Sequence, residues 1–300
     1  MQNISQRKAL EESKKCFKLY PGSKDLETMI SLFYKAKDLF KEQKQEAFLP
    51  ADVSLSPEEI GVKFKKAEKL LPSAYFDGEL VLDFLALVCA GISSNNPGFK
   101  DPLENLQSAV KNQFEQNDNK LSLNDLPDLV EKLVETVSLE RDFVTFLLVF
   151  ILSSLYCAPL EQFLQDLDTS YWEESDCPVC GVKPHYGFLQ EESGEKWLEC
   201  WFCGINWRYP RIKCPYCDNI EQEKLGFFTA ENNEVCRVYF CRQCSKYHKV
   251  YDVRKLAEAE VLLFIHHLHT LHFDWLAQKE GFIPGSGLKW VEEKPDERVN

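Results

Sequence analysis

Net positive charge is missing from this sequence. Its 48 Asp and Glu outnumber 35 Lys and Arg, which leaves −13 and argues against general affinity for nucleic acid. Before residue 168 there is no glycine-rich phosphate loop, nucleophile motif or paired-histidine motif, and the chain as a whole offers no catalytic constellation, so it is not expected to be an enzyme. Met1–Lys15 is polar and has no apolar core of a signal peptide, which predicts a cytoplasmic location. The run Phe143–Leu160 carries no charge over 18 residues, the lower edge for a membrane span. Thr145, Ser153, Ser154 and Pro159 interrupt it and no basic cluster flanks it, so a central buried helix is expected and membrane insertion is not.

Cysteine is abundant instead. Of twelve, eight fall into four Cys-x-x-Cys pairs: Cys177/Cys180, Cys200/Cys203, Cys214/Cys217 and Cys241/Cys244. Such a pair can bend into a knuckle that aims both sulfurs at one ion, and two knuckles complete a tetrahedral site. Pro178 and Pro215 fix the entry of their turns, while Gly181 and Gly204 let the backbone swing past the metal with positive φ. In a reducing cytoplasm such pairs read as metal ligands, not disulfides. Cys16, Cys89 and Cys157 are isolated and read as buried small hydrophobes, and Cys236 as a strand residue or a spare thiol.

Nineteen residues separate Cys180 from Cys200, and 23 separate Cys217 from Cys241. Either gap suits a β-hairpin, with aromatic and apolar residues around polar turns at Glu191–Glu195 and Ala230–Glu234. Sequential pairing of the knuckles is therefore preferred over a cross-braced arrangement. Lobes of about 40 residues rarely hold a core alone, so metal binding should contribute to folding. Four sulfurs per site leave no open position for water, which argues against hydrolytic metal chemistry. Iron and zinc both suit such a site, and spacing does not separate them. The segment Cys177–Lys255 is near neutral, with twelve Lys/Arg against ten Asp/Glu. Arg208, Arg211 and Lys213 could offset part of the thiolate charge.

Before residue 168 the pattern is helical and no run alternates like a strand. Ser23, Ser56 and Asp77 are candidate N-caps, and Ser56-Pro57-Glu58-Glu59 has the shape of a capping box. A final helix is expected from Val253 to about Gly281. Its His266, His269 and His272 share one sector and either pack among aromatics or hold a third metal; His267 lies beside them. His185 and His248 could donate to the knuckles. Trp201, Trp207 and Tyr209 either pack around the second knuckle or form a contact surface for a partner.

The run Lys196 to Cys217, with Cys177-Pro-Val-Cys-Gly181 before it and Cys241-Arg-Gln-Cys244 after it, resembles the FdhE family of formate dehydrogenase accessory proteins. Cys200, Cys203, Trp207, Arg211, Lys213 and Cys214 match that family's Cys-x-x-Cys-x-x-x-Trp and Arg-x-Lys-Cys pattern, and the resemblance as a whole is specific over about 80 residues. Where the family often carries Arg-Tyr-Leu-His, this chain has Lys196-Trp197-Leu198-Glu199. The resemblance implies an α+β chain with an all-helical N-terminal domain, two tandem rubredoxin-like four-cysteine lobes and a C-terminal helix. The expected boundaries are 1–170, 171–253 and 254–282, with a poorly ordered tail over 283–300. It also implies two metal ions, iron or zinc, on the eight paired cysteines. The implied role is a cytoplasmic maturation factor, or chaperone, that contacts the catalytic subunit of formate dehydrogenase. A nucleic-acid-binding zinc ribbon and a rubredoxin-like electron carrier are the alternatives. Oligomeric state is left open.

Overall fold

The structure is a computed structural model and describes residues 6–19, 24–43, 55–71, 75–190, 193–230, 233–256 and 261–288. Helices α1 (Gln6–Leu19), α2 (Lys24–Gln43), α3 (Pro57–Lys65), α4 (Gly78–Asn95), α5 (Lys100–Glu115), α6 (Leu126–Thr136), α7 (Arg141–Cys157) and α8 (Glu161–Asp166) build the first part of the chain. The Ser56 capping box forms: its hydroxyl accepts from the Glu59 N–H, and the Glu59 carboxylate accepts from the Ser56 N–H at 2.7 Å. Asp77 caps α4 by accepting from the N–H groups of Glu79 and Leu80. Ser23 lies outside the described residues.

The uncharged run becomes α7, and every residue from Val144 to Cys157 is buried. By length and composition Gly78–Asn95 and Arg141–Leu160 could each cross a membrane, but the second is 78% buried inside the protein. Here it is the central helix. Phe146 on α7 meets Phe33 of α2 at 4.7 Å between ring centroids, and Phe40 stacks on Phe84 of α4 at 4.5 Å. One expectation fails in this region. Tyr75–Asp77 (β1) and Lys120–Ser122 (β2) pair antiparallel around Phe76↔Leu121. Three residues per strand are too few to display an alternating pattern.

The cysteine-rich part holds β3 (Tyr186–Leu189), β4 (Lys196–Glu199), β5 (Asn206–Arg208), β6 (Leu225–Phe228), β7 (Cys236–Cys241) and β8 (Lys246–Asp252). Both hairpins form as expected, β3 with β4 and β6 with β7. They are not separate lobes. Strand β3 pairs parallel with β8, Tyr186↔Lys249 through Leu189↔Asp252, and joins them into one sheet of order β5-β4-β3-β8-β7-β6. Gly187 sits at this seam: a Cβ there would lie 2.3 Å from the Trp197 carbonyl oxygen.

The C-terminal helix is two helices, α9 (Leu263–His269) and α10 (Leu271–Lys279). The break at Thr270 has a physical cause. Lys249 of β8 is fully buried and donates to the carbonyls of His267 and Thr270, each at 3.2 Å, and to the Asp274 carboxylate on α10. The ammonium takes up carbonyls that a continuous helix would bond internally. After α10, Ile283–Pro284 (β9) adds to β8, so the start of the expected loose tail is ordered; residues 289–300 lie outside the described residues.

One buried cluster runs through both parts of the chain. Ser153 of α7 donates to the Phe202 carbonyl at 2.6 Å, and the N–H groups of Leu70 and Leu71 donate to the carbonyls of Pro178 and Val179. The cysteine region thus shares the helical core, where a coreless pair of lobes was expected.

Asp274 also accepts from Tyr247 and contacts His185. Burial works against its charge, but Lys249 and His185 hold the carboxyl well below the usual carboxylate range. Its contribution to stability is complete above about pH 4 and is lost as pH falls toward the depressed native value. Asp274→Ala strands the buried ammonium and should cost about 3–5 kcal/mol by urea unfolding at neutral pH. A loss below about 1 kcal/mol would contradict this role for the pair.

Candidate metal centre

Three of the four knuckles share one backbone hydrogen bond. The N–H of the residue after the second cysteine returns to the carbonyl of the first: Gly181 to Cys177 at 3.0 Å, Gly204 to Cys200 at 2.9 Å and Asp218 to Cys214 at 3.1 Å. That residue has positive φ in all four knuckles, 80° at Gly181, 74° at Gly204, 57° at Asp218 and 55° at Ser245. Backbone N–H groups also point at sulfur, from Val179 to Cys177 and from Tyr216 to Cys214 at 3.4 Å, and from Cys203 to Cys200 at 3.3 Å.

The sulfurs converge as two groups of four, Cys177/Cys180/Cys200/Cys203 and Cys214/Cys217/Cys241/Cys244. Pairing is therefore sequential, not cross-braced. Cys177–Cys203 and Cys180–Cys200 stand 3.5 Å apart, Cys214–Cys244 and Cys217–Cys241 3.7 Å. These separations are far longer than the ~2.05 Å of a disulfide. They approach the ~3.8 Å edge of a tetrahedron with metal–sulfur bonds of ~2.3 Å. Both groups could hold a metal ion, and four soft donors suit iron or zinc. Burial, then neighbouring sulfurs, pushes the thiols of Cys180 and Cys203 well above their ordinary range. Four thiolates could share that volume only around a cation.

The two groups differ in exposure. All four cysteines of the first are buried, whereas Cys217 and Cys244 of the second are partly exposed. Tyr216, inside the third knuckle, donates its hydroxyl to the Pro184 carbonyl at 3.0 Å. Gly285 lies against the same ring, where a Cβ would fall 1.9 Å from a ring carbon. The strand after α10 therefore braces this knuckle.

The remaining candidates go elsewhere. Trp201, Trp207 and Tyr209 are buried, donating to the carbonyls of Lys183, Glu174 and Cys214, so packing accounts for them. Of the cations expected to offset thiolate charge, Arg208 pairs with Glu195 and Lys213 with Asp218. Lys196 is buried and bonds the Lys213 carbonyl; burial lowers its ammonium to about 7, with Cys214 opposing and Arg211 adding to the drop. His266 contacts Glu12 at 2.9 Å and His269 contacts Ser13 at 3.0 Å, both on α1. Among the described residues His266, His269 and His272 do not form a ligand group together. His185 serves Asp274 and Ser286, not a knuckle. Lys249 and Asp274 were missed. A lysine inside the aromatic strand Tyr247–Tyr251 was the available signal.

No protein-family model matches the chain. An FdhE homolog of Aquifex aeolicus is 26% identical over 238 residues, 77% of this chain and 77% of that one. The crystal structure of the FdhE protein from Pseudomonas aeruginosa covers 96% of this chain and 98% of its own, with TM-score 0.55. The resemblance to the FdhE family holds. At 18% identity the solved FdhE structure shares the fold. A second FdhE homolog, from Pseudomonas aeruginosa, is 28% identical over 116 residues, 36% of each chain. The FdhE-like architecture has a helical N-terminal region, a sheet region with two four-cysteine groups and helices at the C-terminal end.

Thiol reactivity should follow exposure. A thiol reagent added to native protein should modify Cys217 and Cys244 before the first group. Cys89 and Cys236, each pushed up to about 12 by burial, should stay unmodified until denaturant is added. Peptide mass mapping reads the order, and early modification of Cys236 would contradict it.

Proposed function

We propose that this chain is a non-catalytic accessory factor for a formate dehydrogenase, acting in the cytoplasm, and that a metal ion in each four-cysteine group staples the face that meets the client. The observation that carries the reading is two groups of four converging cysteine sulfurs within an FdhE-like fold. Four sulfurs per ion leave no position for substrate or water, so the metals act on shape. Cys177, Cys180, Cys200 and Cys203 would hold one ion; Cys214, Cys217, Cys241 and Cys244 the other. When bound, iron or zinc neutralises thiolate charge and locks the knuckles. The protein's part is to present the rim between β5 and the third knuckle. With Trp201, Trp207 and Tyr209 turned inward, that rim is formed by Arg208 and by Ile212, which is 52% exposed.

The test is recovery of the formate dehydrogenase catalytic subunit with the tagged protein. Cys200→Ser/Cys203→Ser should abolish recovery. Ile212→Asp, which leaves every sulfur in place, should reduce it at least about tenfold, a loss of about 1.4 kcal/mol. Undiminished recovery with both variants would overturn the reading.

A further inference from the structure

A cavity of about 240 Å³ lies between the sheet and the loop that carries the third knuckle. Its floor is one face of β6, β7 and β8. Phe227, Tyr239 and His248 are cross-strand partners in one row, Phe227↔Tyr239 and Tyr239↔His248. Phe227 stacks on Tyr239 with centroids 5.5 Å apart, and His248 lies 5.8 Å from Tyr239 and from Tyr216. The rings lean against one another along the row, and the Arg237 guanidinium lies over Phe227, which remains 53% exposed.

The walls are cationic. Arg211 and Lys246 line the cavity together with Lys196 and Lys213, and among the described residues no Asp or Glu does. Lys213 is held by Asp218, Lys196 by the Lys213 carbonyl, and the Arg211 guanidinium lies beside Gly194 and Arg254, so Lys246, 5.8 Å from the Tyr216 ring centre, is the cation offered to an incoming anion. Cys214 and Cys241 also border the space as members of the second sulfur group, whose charge a bound ion would offset in part.

The cavity also contains an unsatisfied polar atom. His248 is 4% exposed, and its Nε2 has no hydrogen-bond partner among the described residues. A buried polar atom left without a partner is costly, and a ligand edge would relieve it. Burial, then nearby Lys196, holds the imidazole below its ordinary range, so the ring is neutral and offers one donor and one acceptor nitrogen.

We infer that this cavity binds a flat single-ring anion, the ring packed against the Phe227–Tyr239–His248 row and its phosphate or carboxylate meeting Lys246. Edge-to-face contact with aromatic rings tolerates many ring types, while the cationic wall selects for charge. The volume falls just below the roughly 300–1,000 Å³ of drug-sized sites, which restricts the occupant to one ring system.

The test uses the full-length, metal-loaded protein in isothermal titration with phenyl phosphate, a ring carrying phosphate, and with nicotinate, a ring carrying carboxylate. Nicotinamide and inorganic phosphate are the half-ligand controls. At least one probe should bind with Kd below about 100 µM, and at least about tenfold more tightly than either half-ligand. Which probe binds tells whether phosphate or carboxylate is the natural anion. Lys246→Glu should weaken binding at least about tenfold, and Phe227→Ala should weaken it with charge unchanged. Metal content and far-ultraviolet circular dichroism report whether each variant is folded. Absence of binding by both probes, or undiminished binding in both folded variants, would overturn the proposal.

Discussion

Four thiols within bonding reach of one point cannot all ionise unless something cationic sits among them. That constraint governs the second half of this chain. It explains why the sulfurs stand 3.5–3.7 Å apart, too far for disulfides and close to the edge of a metal–sulfur tetrahedron. It also explains the repeated backbone recipe: N–H groups turned toward sulfur and a left-handed residue after each second cysteine. The backbone supplies partial positive charge, and on the reading proposed above a metal ion supplies the rest.

The sheet then couples the two sulfur groups. Because β3 pairs with β8, the hairpin of the first group and the hairpin of the second share a ladder, and the buried Lys249–Asp274 pair ties α9 and α10 to that seam. Strand β9 and Gly285 close over the third knuckle. The first group is also set against the helical core through Ser153 and Phe202, while the second faces solvent through Cys217 and Cys244. This asymmetry places the fully buried group inside and the more accessible one beside the aromatic-lined cavity.

Much of this was readable before folding. Glycine after Cys180 and Cys203 announced two knuckles, and capping chemistry at Ser56 and Asp77 announced two helix starts. Both signals are local, so a short window contains them. Asp218 and Ser245 reach the same left-handed geometry without glycine and gave no such warning. The parallel contact Gly187↔Val250 joins residues distant in sequence, and neither strand's pattern specifies it. The break at Thr270 depends on a lysine from β8 taking helix carbonyls, a partner that helical periodicity cannot display. Trp201, Trp207 and Tyr209 looked equally suited to a surface or a core; bonds to the carbonyls of Lys183, Glu174 and Cys214, all outside their own local pattern, hold them inward.

The central claim is that each four-sulfur group is a metal site. Metal analysis with an absorption spectrum, on protein purified anaerobically, tests it most directly. The account predicts two ions of iron or zinc per chain, with one lost on Cys200→Ser/Cys203→Ser and the other retained. Metal-free protein with an intact fold and eight free thiols in the paired positions would contradict it.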